Sequence, residues 1–119
     1  MKNSLLPGAT LFYHESYLNP TFAKNLFAAF VTEIAWQSPK IRIFGKWLEQ
    51  PRLLAWQAIE PFPYRYSSQT LVAEPFHPAI GELCNRINSS FSTQFNSVLI
   101  NYYRNGKDSM GWHADDEPE

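Results

Sequence analysis

Three observations place this chain in the α+β class. Two stretches, Asn19 to about Trp36 and Pro78 to Ser89, repeat apolar residues every three or four positions, the period of a helix with one buried face. Around them lie short runs rich in β-branched and aromatic residues, bounded by Gly, Pro, Asn and Ser, which read as strands. The length of 119 residues suits one domain with one core, so 1–119 is taken as a single domain.

In chain order, residues 1–18 read as irregular except for a strand over Thr10–Tyr13. Asn19-Pro20 starts the first helix, with Asn as cap and Pro in the first turn. Phe22, Leu26, Phe27, Phe30 and Ile34 form its apolar face, which is expected to cover a sheet, and Ser38-Pro39 ends it. Ile41–Phe44 and Leu53–Trp56 read as strands. Lys40–Trp56 is therefore expected to be a hairpin with Ile43-Phe44-Gly45-Lys46 at its tip, Gly45 allowing the sharp turn. A proline-bounded loop, Glu60–Pro63, leads to Tyr64-Arg65-Tyr66-Ser67. The second helix has Pro78 in its first turn and Ile80, Leu83, Cys84 and Ile87 on its apolar face. His14 and His77 acquire no partner in this reading.

Val98–Tyr103 is a strand whose alternation puts Leu99, Asn101 and Tyr103 on one face and Val98, Ile100 and Tyr102 on the other. A polar turn, Arg104–Asp108, carries Gly106. A second extended piece then bears His113 and Asp115, two residues apart and so on one side. An imidazole and a carboxylate converging on one point suit a first-row divalent metal. On that spacing alone, a surface histidine beside an acidic tail is the simpler account.

The net charge of −1 excludes polyanion binding driven by overall charge. Locally, Lys40, Arg42, Lys46, Arg52 and Arg65 face only Glu49 and Glu60, whereas Asp115–Glu119 is acidic. A basic middle suits phosphates and an acidic end suits a cation. Nine Phe, six Tyr and four Trp are many for this length; some of that ring area is expected in the core and some is open to stacking on a ligand. One cysteine, Cys84, excludes an internal disulfide and fits a reducing compartment, the cytoplasm or a nucleus. The N-terminal apolar run is broken at Pro7-Gly8, so no signal peptide is legible, and no stretch approaches a membrane span.

Two further segments admit two readings each. Phe44 beside a turn is core, or it is an apolar wedge flanked by Arg42 and Lys46 that enters a base stack. Tyr64 and Tyr66 are ordinary strand aromatics, or, as the resemblance described next implies, Tyr66 stacks on a base.

The order Asn-x-Tyr, polar turn, Gly-Trp-His-x-Asp-Asp-Glu closely resembles the AlkB family of Fe(II)/2-oxoglutarate dioxygenases, which repair N-alkylated bases. Asn101, Tyr103, Arg104, Gly106, Asp108, His113, Asp115, Asp116 and Glu117 fall in the family's order and spacing, and the resemblance reaches back to about Arg42. It implies His113 and Asp115 as Fe(II) ligands, Asn101 and Tyr103 as hydrogen-bonding partners of 2-oxoglutarate, and O2 as oxidant. It implies alkylated DNA, or RNA, as substrate. Ile43-Phe44-Gly45 resembles the finger of homologues acting on duplex DNA, and Arg52 matches an arginine near the base opposite the lesion. Tyr66 and Ser67 match the wall of the flipped-base pocket, although the family's Gly after this Ser is Ser68 here. Asp116 and Glu117 continue the motif and are carried over as substrate contacts.

The family fold is a double-stranded β-helix, or jelly roll. The family's distal histidine and two arginines follow His-x-Asp, and neither appears by Glu119. The expectation is thus the N-terminal portion of a jelly roll with two covering helices, truncated before the later strands. Such a piece is expected to be inactive alone and to self-associate through unpaired strand edges. Two rivals stand beside this: a non-catalytic nucleic-acid-binding module, and another 2-oxoglutarate-dependent hydroxylase, such as a protein hydroxylase.

Overall fold

A computed structural model describes residues 7–38, 40–60, 63–66 and 69–112, with backbone alone for 41, 43, 63–66 and 69–71. The chain falls into two compact units, Met1–Glu33 and Ile34–Glu119.

The first unit holds helix α1, Pro20–Glu33. Asn19 caps it: its Oδ1 accepts from the backbone N–H of Thr21 at 2.9 Å and of Phe22 at 3.4 Å. The expected strand over Thr10–Tyr13 does not form; only Phe12 is a bridge residue. His14 meets the edge of the Tyr17 ring at 5.7 Å.

Helix α1 ends at Glu33, not near Trp36. From Ile34 the chain is drawn into the second unit. Ile34 is buried, Trp36 packs on Tyr102 at 5.4 Å, and Gln37 exchanges both backbone hydrogen bonds with Leu54. Tertiary pairing there overrides the helical period.

Strands β1 (Lys40–Ile43) and β2 (Lys46–Glu49) form an antiparallel hairpin in which Ile43 pairs with Lys46. This corrects the expected second arm: Leu53–Trp56 belongs to another sheet. Strand β3 (Leu53–Ala58) lies at the centre of that sheet, between β6 (Glu74–Pro75), parallel to it, and β7 (Ser97–Tyr102), antiparallel to it. Among the described residues strand β3 is the most buried stretch, so it requires neighbours on both edges and cover on both faces. Strands β4 (Pro63–Tyr66) and β5 (Gln69–Val72) form a second hairpin.

The β3–β7 register pairs Leu54 with Asn101 and Trp56 with Leu99. Paired residues share a face. On one face, Leu54, Trp56, Ala58 and Ala73 form the core, with Leu99 packed against it. Val98 lies towards helix α2 (Pro78–Phe91), which buries Ile80 and Cys84. An apolar groove of about 290 Å³ remains between α2 and β7, lined by Leu83, Ile87 and Phe95 among others.

His77 caps α2, with its Nδ1 accepting from the Ala79 N–H at 3.0 Å while its own N–H donates to buried Gln57 Oε1 at 2.8 Å. The helix runs two residues past Ser89 because its end is held from within. The Asn88 side chain accepts from the Phe95 N–H and Thr93 Oγ1, and donates to the Phe95 carbonyl, all within 2.9 Å. Ser92 closes the helix in the left-handed region at φ 53°. The entry of β7 is thereby fixed, and with it the register that presents Asn101 and Tyr103.

Candidate nucleic-acid and co-substrate site

Strand β7 delivers Asn101 and Tyr103 to the core face of the sheet, just beyond Leu99, where both become exposed. An exposed amide and phenol at the rim of an apolar face offer hydrogen bonds to a ligand at no packing loss. Arg52 comes from the opposite side of the pair. One position before Leu53, which pairs with Tyr102, it donates from Nη1 to Tyr103 Oη at 3.3 Å. Arg52 is only 4 % exposed. An exposed amide and an exposed phenol, the phenol backed by a buried guanidinium, form a donor set suited to an acidic ligand.

Past β7 the chain turns sharply. Asp108 accepts from Arg104 three times: from its backbone N–H at 2.9 Å, from Nε at 2.7 Å and from Nη2 at 3.1 Å. Asn105 closes the turn, its Oδ1 accepting from the Lys107 N–H at 2.8 Å. The side-chain bond from Arg104, then the Arg104 N–H, hold the Asp108 carboxyl below its ordinary range. The same bond raises Arg104 above its own. This clamp sets the direction in which the chain leaves towards Trp112, which is fully exposed.

The β1–β2 hairpin presents the second feature. Its two tip residues, Phe44 and Gly45, both have positive φ, 49° and 78°, as a tight two-residue turn between twisted strands requires. Gly tolerates this; Phe is an uncommon residue there. The Phe44 ring is 100 % exposed. The core reading of Phe44 is therefore excluded. Arg42 lies over the Trp47 ring at 5.9 Å, and Lys40, Lys46, Trp47 and Leu48 are exposed beside it. The tip is an apolar point set among cations.

Of the remaining expected site residues, Ile43 closes β1 and Tyr66 closes β4, paired with Gln69. Ser67, His113, Asp115, Asp116 and Glu117 lie outside the described residues. Among the described residues no three His, Cys, Asp or Glu side chains come together as a metal site. The imidazole–carboxylate pair of His113 and Asp115 remains the donor set whose chemistry fits Fe(II).

Sequence reasoning missed three features: the Arg52–Tyr103 bond, the His77 cap and the left-handed Phe44. A His directly before a Pro-initiated helix is a signal for the cap. The Arg52–Tyr103 bond has no local signal, because its partners are 51 residues apart.

A family model described as the 2OG-Fe(II) oxygenase superfamily matches residues 10–119, and the chain belongs to that superfamily. Similar proteins include AlkB homologues. The human alpha-ketoglutarate-dependent dioxygenase alkB homolog 3 is 49 % identical over 71 residues, covering 59 % of this chain and 24 % of the relative. The bovine DNA oxidative demethylase ALKBH2 is 36 % identical over 80 residues, covering 67 % of this chain and 29 % of the relative. The chain thus spans roughly a quarter of the length of these relatives. Among the described residues, no helix is long and apolar enough to cross a membrane.

Proposed function

We propose that the protein carrying this sequence is an Fe(II)- and 2-oxoglutarate-dependent dioxygenase that removes N-alkyl groups from bases in DNA, and in RNA by the same chemistry. The family membership supports the reaction type. The bovine relative named as a DNA oxidative demethylase supports the substrate class. In this reading the fold continues as a jelly roll. The iron site begins with His113 and Asp115, and Asn101 and Tyr103 hydrogen-bond 2-oxoglutarate. With O2, the bound metal and co-substrate supply the oxidation of the N-alkyl carbon, whose loss as an aldehyde restores the base. Tyr66, Ser67, Asp116 and Glu117 form the substrate side of the pocket. Such lesions on the pairing edge weaken the duplex, so extruding the damaged base costs less than extruding a sound one.

The observation that carries the nucleic-acid reading is Phe44, fully exposed on a positive-φ turn between Arg42 and Lys46. An apolar ring held in water gains nothing from the fold, and it gains the stacking energy of bases if it enters them. Arg42 and Lys46 then meet the flanking phosphates, each releasing counterions. The reading of a non-catalytic binding module shares this tip and needs no metal.

The test is dealkylation of an N-methylated oligonucleotide by the protein with Fe(II) and 2-oxoglutarate. His113→Ala abolishes turnover and leaves duplex affinity unchanged. Phe44→Ala lowers turnover on duplex about ten- to a hundredfold, the equivalent of one buried aromatic side chain, and much less on single strand. Affinity for duplex falls steeply with salt. Unchanged turnover in His113→Ala overturns the enzymatic reading. Equal losses on both substrates overturn the wedge.

A further inference from the structure

We propose that Arg52 is a positioning residue for Tyr103, orienting the phenol so that its O–H is directed at 2-oxoglutarate. This rests on the reading above, in which Tyr103 meets that co-substrate.

Three observations carry it. First, Arg52 and Tyr103 each lie one residue beyond the last β3–β7 register pair, Leu53 with Tyr102, and a side-chain hydrogen bond joins them there. Second, the direction of the hydrogen bond matters. Arg52 has no acceptor, so Tyr103 Oη accepts from it and keeps its own proton for a third group. A phenol that accepts from a cation is a stronger donor through its own O–H, because the two bonds polarise one another. A carboxylate oxygen is the acceptor that such a donor suits best. The 3.3 Å separation is at the long end for this bond and leaves room to shorten when ligand arrives.

Third, the two partners differ in exposure. Arg52 is 4 % exposed and Tyr103 44 %. A buried side chain has few rotamers left, so it fixes the geometry, and the exposed ring presents it. That burial leaves Arg52 little surface to offer a duplex directly. Arg52 also follows Gln50-Pro51, the link from β2 to β3, so the hairpin that carries the exposed tip leads straight into the residue that holds the phenol.

The experiment measures the dissociation constant of 2-oxoglutarate by calorimetry, with Mn(II) in place of Fe(II) to prevent turnover. It compares wild type, Arg52→Gln, Arg52→Lys, Tyr103→Phe and the Arg52→Gln/Tyr103→Phe double variant, each with its unfolding curve. Arg52→Gln and Tyr103→Phe are each expected to weaken binding about tenfold, a charge-assisted hydrogen bond's worth. The double variant loses no more than the larger single loss, because both changes break one unit. Arg52→Lys recovers part of the loss, having a cation without the planar fork. If Arg52→Gln does not fold, the cycle is run with Arg52→Lys and must show the same non-additivity. Additive losses, or a folded Arg52 variant with wild-type affinity, overturn the proposal and reduce Arg52 to packing. A wild-type protein that binds no 2-oxoglutarate overturns the functional reading itself, so the two failures are told apart.

Discussion

Strand β3 and the β1–β2 hairpin are separated by three residues, Gln50-Pro51-Arg52, and have opposite relations to water. From Leu54 to Ala58 every residue of β3 is buried; from Lys46 to Glu49 every residue of β2 is exposed. Both strands contain a tryptophan and a leucine, so apolar content alone does not decide their fate. The difference lies in partners. Strand β3 has a neighbour on each edge, whereas among the described residues β1 and β2 pair only with each other. A two-stranded ribbon is marginal by itself, and exposed apolar side chains add nothing to it. A ribbon that nonetheless carries Phe44, Trp47 and Leu48 on its surface is built for contact with something other than its own core.

The contrast is broken most sharply by truncating one side chain in each region. Leu54 is wholly buried, and Leu54→Ala is expected to cost about 2–5 kcal/mol of unfolding free energy. Phe44→Ala removes a larger side chain yet is expected to leave stability within about 0.5 kcal/mol. Phe44→Gly is expected to raise stability, since it relieves a left-handed backbone that disfavours side chains by about 1–2 kcal/mol. Urea unfolding of the three variants checks this. A Phe44→Ala loss comparable to that of Leu54→Ala would mean that the tip packs, and the contrast would collapse.

The sequence showed this contrast only in part. The two helices were legible because Asn19-Pro20 and Pro78 mark their starts and the apolar period runs through them. The parity of Leu99, Asn101 and Tyr103 was legible because a strand has only two faces. The partner of each strand was not. Leu53–Trp56 and Lys46–Glu49 are equally plausible second arms for a hairpin with its tip at Phe44-Gly45, and only the burial of β3 between β6 and β7 separates them. Ile34–Gln37 continues the helical period, yet long-range pairing with Leu54 takes it out of the helix. The site is likewise legible as a list of residues along β7 and its turn. The neighbour that bonds to Tyr103, Arg52, lies 51 residues away in sequence and leaves no local signal.

A smaller effect tests how β3 is joined to its cover. His77 both caps α2 and donates its N–H to Gln57, on the side of β3 away from Leu54 and Trp56. His77→Ala removes the cap acceptor and leaves the backbone bond in place. The expected loss is about 1 kcal/mol, and His77→Asn, which restores a side-chain acceptor, recovers most of it. Equal losses in the two variants, read by thermal unfolding, would mean that the imidazole acts by packing and not as a cap.

The smallest effect belongs to Asp108, on the exposed turn beyond β7, and it separates a positioning role from a stabilising one. The side-chain and backbone hydrogen bonds from Arg104 hold this carboxyl below its ordinary range. A group whose folded value is lowered contributes stability that is fully present above its unfolded value. That contribution is lost as pH falls through the folded value. The unfolded value for an aspartate is about 3.9. The stability difference between wild type and Asp108→Asn is therefore flat above about pH 5 and shrinks only in the acid below about pH 4. Because the pair faces solvent, the plateau is small and falls further with added salt. The turn it closes leads from Tyr103 to His113, so the substitution is expected to disturb metal binding at neutral pH more than it disturbs folding. A Mn(II) titration of Asp108→Asn at pH 7, set against its unfolding curve, reads the two separately. A large stability loss with unchanged metal affinity would show the clamp to be a structural staple and nothing more.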